Sequence, residues 1–189
     1  ADAAGRDLNY IALTGALHCI GTAERPIIPL NLLGDYGGGV YLLAGLLAAH
    51  VHAVKTGEGQ VVEASIAESV TSLMTATYGY LAEGRWSHAR AANFLDGGAP
   101  YYNVYQCRDG KFVTVAAIER KAFGELLTRL GLQSGDPPDP QDRSRWDELT
   151  EKLAAVFATR TQREWCEMLE GTEVCFAPVL SMEEAPRHP

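Results

Sequence analysis

Positive charge is scarce in this chain. Sixteen Lys and Arg stand against twenty-four Asp and Glu, a net charge of −8 over 189 residues. The basic residues form no dense cluster, which argues against nucleic acid as a partner. Cysteine is equally sparse: Cys19, Cys107, Cys166 and Cys175 show no CxxC spacing, so neither a metal site nor a disulfide framework is expected. They are expected to be reduced and mostly buried. The longest apolar run, Val40 to Val54, is short for a bilayer span and contains His50 and His52, so no membrane is expected. The opening residues Ala1-Asp2-Ala3-Ala4-Gly5 contain no apolar leader core, and the resulting expectation is a cytoplasmic protein. No internal repeat or low-complexity tract stands out.

With 47% apolar residues the chain can bury a core in one or two domains. Its most informative stretch is Leu30-Asn31-Leu32-Leu33-Gly34-Asp35-Tyr36-Gly37-Gly38-Gly39. A single carboxylate, Asp35, stands between an apolar run and a helix expected over roughly 40 to 55. Glycines such as Gly37 and Gly38 allow a substrate close to the backbone, and a helix start offers N–H donors with a positive dipole end. Proton abstraction beside a carbonyl needs those two things, a base and a place to hold the enolate oxygen. The alternative is a carboxylate that only caps the helix or closes a turn. Asn31, four residues earlier, is placed to orient Asp35 or to make a turn after Pro29.

Periodicity predicts a helix over Asp7 to Ile20, weakened at Gly15, and an extended approach through Pro26 and Pro29. Val40 to Val54 is apolar nearly all round, the pattern of a helix buried between layers. A short strand is expected over Gln60 to Ala64, then a helix from the Ser65–Glu68 capping box to about Ala82. Arg85 to Pro100 reads as a linker. Beyond it, Asp109-Gly110 joins two strand-like runs, Tyr102 to Cys107 and Lys111 to Ala117, as a hairpin. Helices are expected over Arg120 to Gly131, Arg145 to Ala158 and Gln162 to Glu170, the last opened by a Thr161–Glu164 capping box. Gly135 to Pro140 reads as a proline-stiffened loop, and Val174 to Leu180 as an edge strand interrupted at Pro178.

Five stretches taken together resemble the alpha-methylacyl-CoA racemases of the family III CoA-transferase superfamily: Gly5 to Tyr10, the Asp35 loop, Lys55 to Val62, Asn93 to Tyr102, and Ala117 to Glu119. They occur in the family's order and spacing, and the resemblance runs nearly end to end. It implies an α/β fold with part of a Rossmann-like large domain, a linker, and a smaller α+β domain. The expected divisions are 1–65, 66–102 and an incomplete small domain at 103–189. It also implies that the chain is a central piece of a longer family architecture. The charge fits a chain without the basic CoA-binding half.

For chemistry, the resemblance implies a racemase or epimerase acting by proton abstraction alpha to a thioester carbonyl. The substrate is an acyl-CoA thioester, with coenzyme A as part of it and no tightly bound cofactor. Asp35 matches the family's catalytic aspartate, and Glu119 the glutamate that assists the family's histidine. Where that histidine belongs, this chain has Arg6, whose guanidinium holds its proton at working pH and cannot act as imidazole does. Arg6 is left to hold an anionic oxygen, to pair with Glu119, or to mark a decayed enzyme. Asn31, Gly37, Gly38 and Tyr36 are the expected substrate contacts, with Tyr101, Tyr102 and Trp86 available to line an acyl pocket. Two alternatives stay open: a CoA-transferase in which Asp35 is the acyl-accepting nucleophile, and a non-catalytic fragment or subunit dependent on a separate chain carrying the CoA-binding half. The family pattern further implies an interlocked homodimer.

Overall fold

A computed structural model describes residues 4–133 and 137–189. The chain is mixed α/β and divides into two compact units, Ala1–Ala91 and Ala92–Pro189.

The first unit is helical. The helix expected over Asp7 to Ile20 is two helices, α1 (Asp7–Leu13) and α2 (Ala16–Cys19), because Gly15 takes a left-handed φ of 77° and turns the chain. A turn of π-helix at Leu32–Tyr36 runs directly into α3 (Gly37–Thr56). Two further helices, α4 (Ile66–Leu73) and α5 (Thr75–Ala82), replace the single one expected up to Ala82. Ser65 caps α4 as its sequence predicts: its Oγ accepts from the Glu68 N–H at 3.1 Å and donates to Glu68 Oε2 at 2.9 Å. The small core joins Ile11, Ala16 and Val70, with Leu8, Leu33 and Ile66 packed around them.

Two expectations fail in this unit. Gln60 to Ala64 is not a strand, and Val61 is 94% exposed. Nor is α3 buried between layers: Gly38 is its one buried residue. Its inner face packs on the segment that follows, with Gly45 against Val62, Gly38 against Ile66, and Tyr41 Oη donating to Ser72 Oγ at 2.8 Å. The opposite face is bare. Taken with the preceding turn, Leu32–Thr56 is long and apolar enough to cross a membrane by length and composition, longer than the run counted from sequence.

The segment expected to be a loose linker is ordered. In the first unit, Arg90 donates from Nε to Thr22 O at 2.9 Å and from Nη1 to His18 O at 2.8 Å. In the second, Asp96 Oδ1 accepts from the N–H groups of Asn93 at 2.8 Å and Gly98 at 3.1 Å. A side chain at Gly98 would collide with the Asn93 nitrogen at 2.5 Å, so this turn requires glycine.

The second unit carries a three-stranded antiparallel sheet, β1 (Tyr102–Gln106), β2 (Phe112–Ala116) and β3 (Phe176–Pro178), in that spatial order. The Asp-Gly hairpin joins β1 to β2 as expected. Pro178 lies on the edge strand β3, where its missing N–H does not interrupt a central ladder. Helices α6 (Arg120–Arg129), α7 (Trp146–Phe157) and α8 (Gln162–Leu169) accompany the sheet. Phe123, Leu126 and Leu127 of α6 enter the core beside Trp146, Phe157 and Trp165. Tyr105 stacks on Phe157 with centroids 5.1 Å apart. Two of the buried aromatics have their polar ends satisfied: Trp165 Nε1 donates to Phe157 O at 2.9 Å and Tyr105 Oη to Pro100 O at 2.7 Å. Of the Gly135 to Pro140 loop, Gly135 and Asp136 lie outside the described residues.

The cysteines are free. Cys107 is buried and Cys175 exposed, so mostly buried is too strong a description of the four. Burial pushes the thiols of Cys107 and Cys166 up to about 11, which keeps both protonated at neutral pH.

Candidate active site

Asp35 sits in the π-turn, with its carboxylate exposed at the amino end of a helix that continues for twenty residues as α3. Asn31 Nδ2 donates to Asp35 Oδ2 at 3.2 Å, the orienting contact the four-residue spacing suggests. The other carboxylate oxygen is left for a substrate or solvent. A π-turn inserts an extra residue into the helical ladder and re-aims the side chains it carries, and such turns recur at functional sites. Leu30, just upstream, holds a φ of 55°, a conformation that costs a non-glycine residue of order 1–3 kcal/mol.

The glycines of the loop have a different use from the one expected. A Cβ on Gly37 would meet Leu73 at 3.3 Å and one on Gly38 would meet Ile66 at 3.4 Å, so both serve packing on α4. Gly39 alone faces open space. The N–H of Gly37 is also spent, on the carbonyls of Gly34 and Leu32, because the helical ladder begins five residues before α3. The free donors of this helix end therefore belong to the π-turn, and Asp35 lies within its first turn. Tyr36 is 63% exposed.

Arg6 and Asp7 approach this turn from α1. Arg6 is the residue that caps α1, with its backbone N–H donating to Asn9 Oδ1 at 2.9 Å and its side chain exposed. Asp7 is the first helical residue and packs against Gly34. Among the described residues the Arg6 guanidinium forms no ion pair.

Glu119 lies in the second unit, exposed at the amino end of α6. It lines a cleft of about 510 Å³ with Lys121, Glu125, Arg129, Glu173 and Cys175. Charges within that cleft pair locally, Arg129 Nε with Glu125 Oε1 at 2.7 Å and Lys121 with Glu173 at 3.8 Å.

The aromatic candidates separate. Tyr101 is wholly buried in the second unit's core, Tyr102 is half-buried beside it, and Trp86 lines a cavity of about 240 Å³ in the first unit with Met74, Tyr78 and Leu81. His18, at the edge of that cavity, is committed to structure. Arg90 Nη1 donates to its Nδ1 at 3.3 Å, so its Nε2 carries the hydrogen that faces His88 O at 3.0 Å. Among the described residues no group of three His, Cys, Asp or Glu is placed to hold a metal.

An exposed carboxylate steered by an amide, at the start of an apolar helix, has the chemistry to take a proton or to attack an acyl carbon. Comparison with known proteins places it more narrowly. The model of CoA-transferase family III matches residues 1–189, and the chain belongs to that family. It is 42% identical over 187 residues to the alpha-methylacyl-CoA racemase of Mus musculus, covering 98% of this chain and 49% of that protein. The Homo sapiens racemase is 41% identical over the same length and shares. The chain thus spans about half the length of these relatives. Among solved structures, a hypothetical protein of Mycobacterium tuberculosis superposes with a TM-score of 0.74 at 22% identity, covering 99% of this chain and 51% of that one. A CAIB/BAIF family protein of Brucella suis gives 0.72 at 20% identity, over 100% of this chain and 51% of that one. These two bear on the fold.

Proposed function

We propose that this chain carries the acid–base side of an acyl-CoA racemase or epimerase, with Asp35 as the base. The observation that carries the reading is the Asn31-steered, exposed carboxylate of Asp35 in a chain 42% identical to a racemase over 98% of its length. The Asp35 carboxylate takes the α-proton of a 2-methylacyl thioester while the C–H bonding pair moves into the enolate. The negative charge collects on the thioester oxygen, where N–H donors and a guanidinium stabilise it. Arg6 fills that electrostatic role. It cannot return a proton as a histidine would. Inversion through this site then needs a second acid–base group besides Asp35. Proton transfer of this kind calls on no cofactor beyond the coenzyme A of the substrate.

The working species, on this reading, is larger than the 189-residue chain. An interlocked homodimer and a polypeptide supplying the CoA-binding half are both part of the proposal, supported by the half-length match and the net charge of −8.

A second reading is favoured by Arg6. With a permanent cation in place of a proton carrier, Asp35 serves equally as a nucleophile that attacks the thioester carbonyl, releases CoA as thiolate and forms a mixed anhydride. Treatment with acyl-CoA and hydroxylamine separates the two. A hydroxamate at Asp35 supports transfer, whereas α-proton exchange into deuterated water without a hydroxamate supports racemisation.

A further inference from the structure

Inversion of a carbon needs a proton donor on the side away from Asp35, and the Arg6 guanidinium cannot be that donor. The π-turn approaches the carbon from one side only, so the donor has to come from another element. α1 meets this turn through Asp7, which packs against Gly34, the residue before Asp35.

Tyr10 stands one helical turn beyond Asp7, on the face the two share, and long side chains on a helix lean back toward its amino end. Tyr10 does so. A Cβ built on Gly5 would lie 3.0 Å from both its Cζ and its Oη. The phenol is thus carried back to the chain neighbour of Arg6, at the end of α1 that meets the π-turn. The backbone it reaches is held in place. The Arg6 N–H donates to Asn9 Oδ1 at 2.9 Å, and Arg6 O accepts from the N–H groups of Asn9 at 2.9 Å and Tyr10 at 3.2 Å. Tyr10 is 38% exposed, and its hydroxyl bonds to no other described residue.

The other groups around the turn have other uses. Tyr36 belongs to the π-turn itself and follows Asp35 directly, so it shares that residue's side. Asn31 is bonded to Asp35, and Asp7 would bring a second negative charge to a forming enolate. A phenol brings a proton and no negative charge.

We propose that Tyr10 is the second acid–base group of this chain, the catalytic residue that returns the proton. Asp35 takes the α-proton while the C–H pair enters the enolate. The α-carbon then takes the Tyr10 hydroxyl proton from the opposite face, the enolate pair forming the new C–H bond and the O–H pair staying on the phenolate oxygen. Solvent reprotonates the phenolate and receives the proton held by Asp35, since both side chains are exposed. The reverse direction exchanges the two roles. The assignment rests on the racemase reading above.

The test follows one epimer of a 2-methylacyl-CoA in deuterated water, with the full chain co-expressed with the half of the mouse racemase that the match leaves uncovered. Proton NMR reads α-proton exchange, and chiral analysis reads inversion. Asp35 alone can exchange the proton with solvent and return it to the same face, so the two readouts separate when the second group is lost. Tyr10→Phe keeps the ring on Gly5 and removes only the hydroxyl. It is expected to lower the ratio of inversion to exchange by at least about a hundredfold, the scale of removing a general acid. Gly5→Ala presses on Cζ and Oη and is expected to lower the same ratio by about tenfold. Melting temperatures check that both variants remain folded. An unchanged ratio in Tyr10→Phe overturns the assignment and leaves the racemase reading standing. Inversion and exchange that fall together make Tyr10 a structural or binding residue and also overturn it. A parent complex that neither exchanges nor inverts removes the racemase reading, and this assignment with it.

Discussion

Asp7 packs directly against the backbone of Gly34: a Cβ built on Gly34 would lie 2.7 Å from Asp7 Cβ and 3.0 Å from its Oδ2. Arg6 and Asp35 are the chain neighbours of these two residues. The contact therefore fixes how the α1 end and the π-turn meet, and with it the distance over which Arg6 can influence the carboxylate. It depends on glycine at position 34.

Gly34→Val is accordingly expected to push α1 away from the turn and destabilise the first unit by about 1–3 kcal/mol, the usual cost of overpacking. Asp7→Gly in the same chain should recover part of that loss by removing the Cβ that clashes. Thermal or urea unfolding followed by circular dichroism reads both, and equal stability of Gly34→Val and the parent would contradict the contact.

Asn31→Ala removes the amide that steers Asp35 Oδ2. A lost hydrogen bond of this kind is worth about 1 kcal/mol, or roughly fivefold in rate if it orients the base. The melting temperature is expected to stay within a degree or two, since both side chains are exposed. A large fall in stability with unchanged turnover would make Asn31 a turn residue only.

Arg6→His tests the consequence of the guanidinium. Imidazole can give and take a proton near neutral pH, so this variant is expected to gain inversion of a single 2-methylacyl-CoA epimer over the parent chain. Chiral analysis of recovered thioester measures it. If the parent already racemises as fast as the variant, Arg6 lies outside the reacting centre.

The carboxyl-terminal segment is tied to the hairpin by an ion pair whose pH behaviour follows from its surroundings. Lys111 Nζ donates to Glu184 Oε1 at 2.6 Å, and that contact, with the backbone and hydroxyl of Ser181, holds the Glu184 carboxyl down at about 2. A depressed carboxyl stabilises the folded state above its unfolded value of 4.5 and loses that contribution as pH falls towards 2. Docking of residues 181–187 should therefore be constant from neutral pH to about 5 and weaken below it. Lys111→Met should leave that onset where it is and make the acid-dependent weakening smaller, read by the pH dependence of limited proteolysis near Ser181.

Much of the local structure was legible because it is decided within a few residues. The capping box at Thr161 forms as its spacing indicates, Ser65 caps its helix through the Glu68 N–H alone, and Asp109-Gly110 turns β1 into β2. Gly15 and Met74 break helices that periodicity alone joins, since apolar spacing continues across a break that only the backbone angles record. The larger misreading, α3 as a buried helix, has a physical cause. An all-round apolar pattern says that a helix is meant to be covered but does not say by which chain. Residues 60–64 read as a short strand from their valines, yet they pair with no strand among the described residues. At the site, the Asn31 and Asp35 spacing was readable. The π-turn was not, because a one-residue insertion in a helical ladder leaves no periodic mark in ten residues rich in glycine.

The most direct test is α-proton exchange of a 2-methylacyl-CoA in deuterated water, followed by proton NMR, with the folded chain and its Asp35→Asn variant compared alone and with the complementary half. The account expects exchange by the parent in the assembled state and a loss of at least about a hundredfold in the variant, the scale of removing a general base. Exchange that is equal in the parent and in Asp35→Asn, or absent from a well-formed complex of the parent, would contradict it.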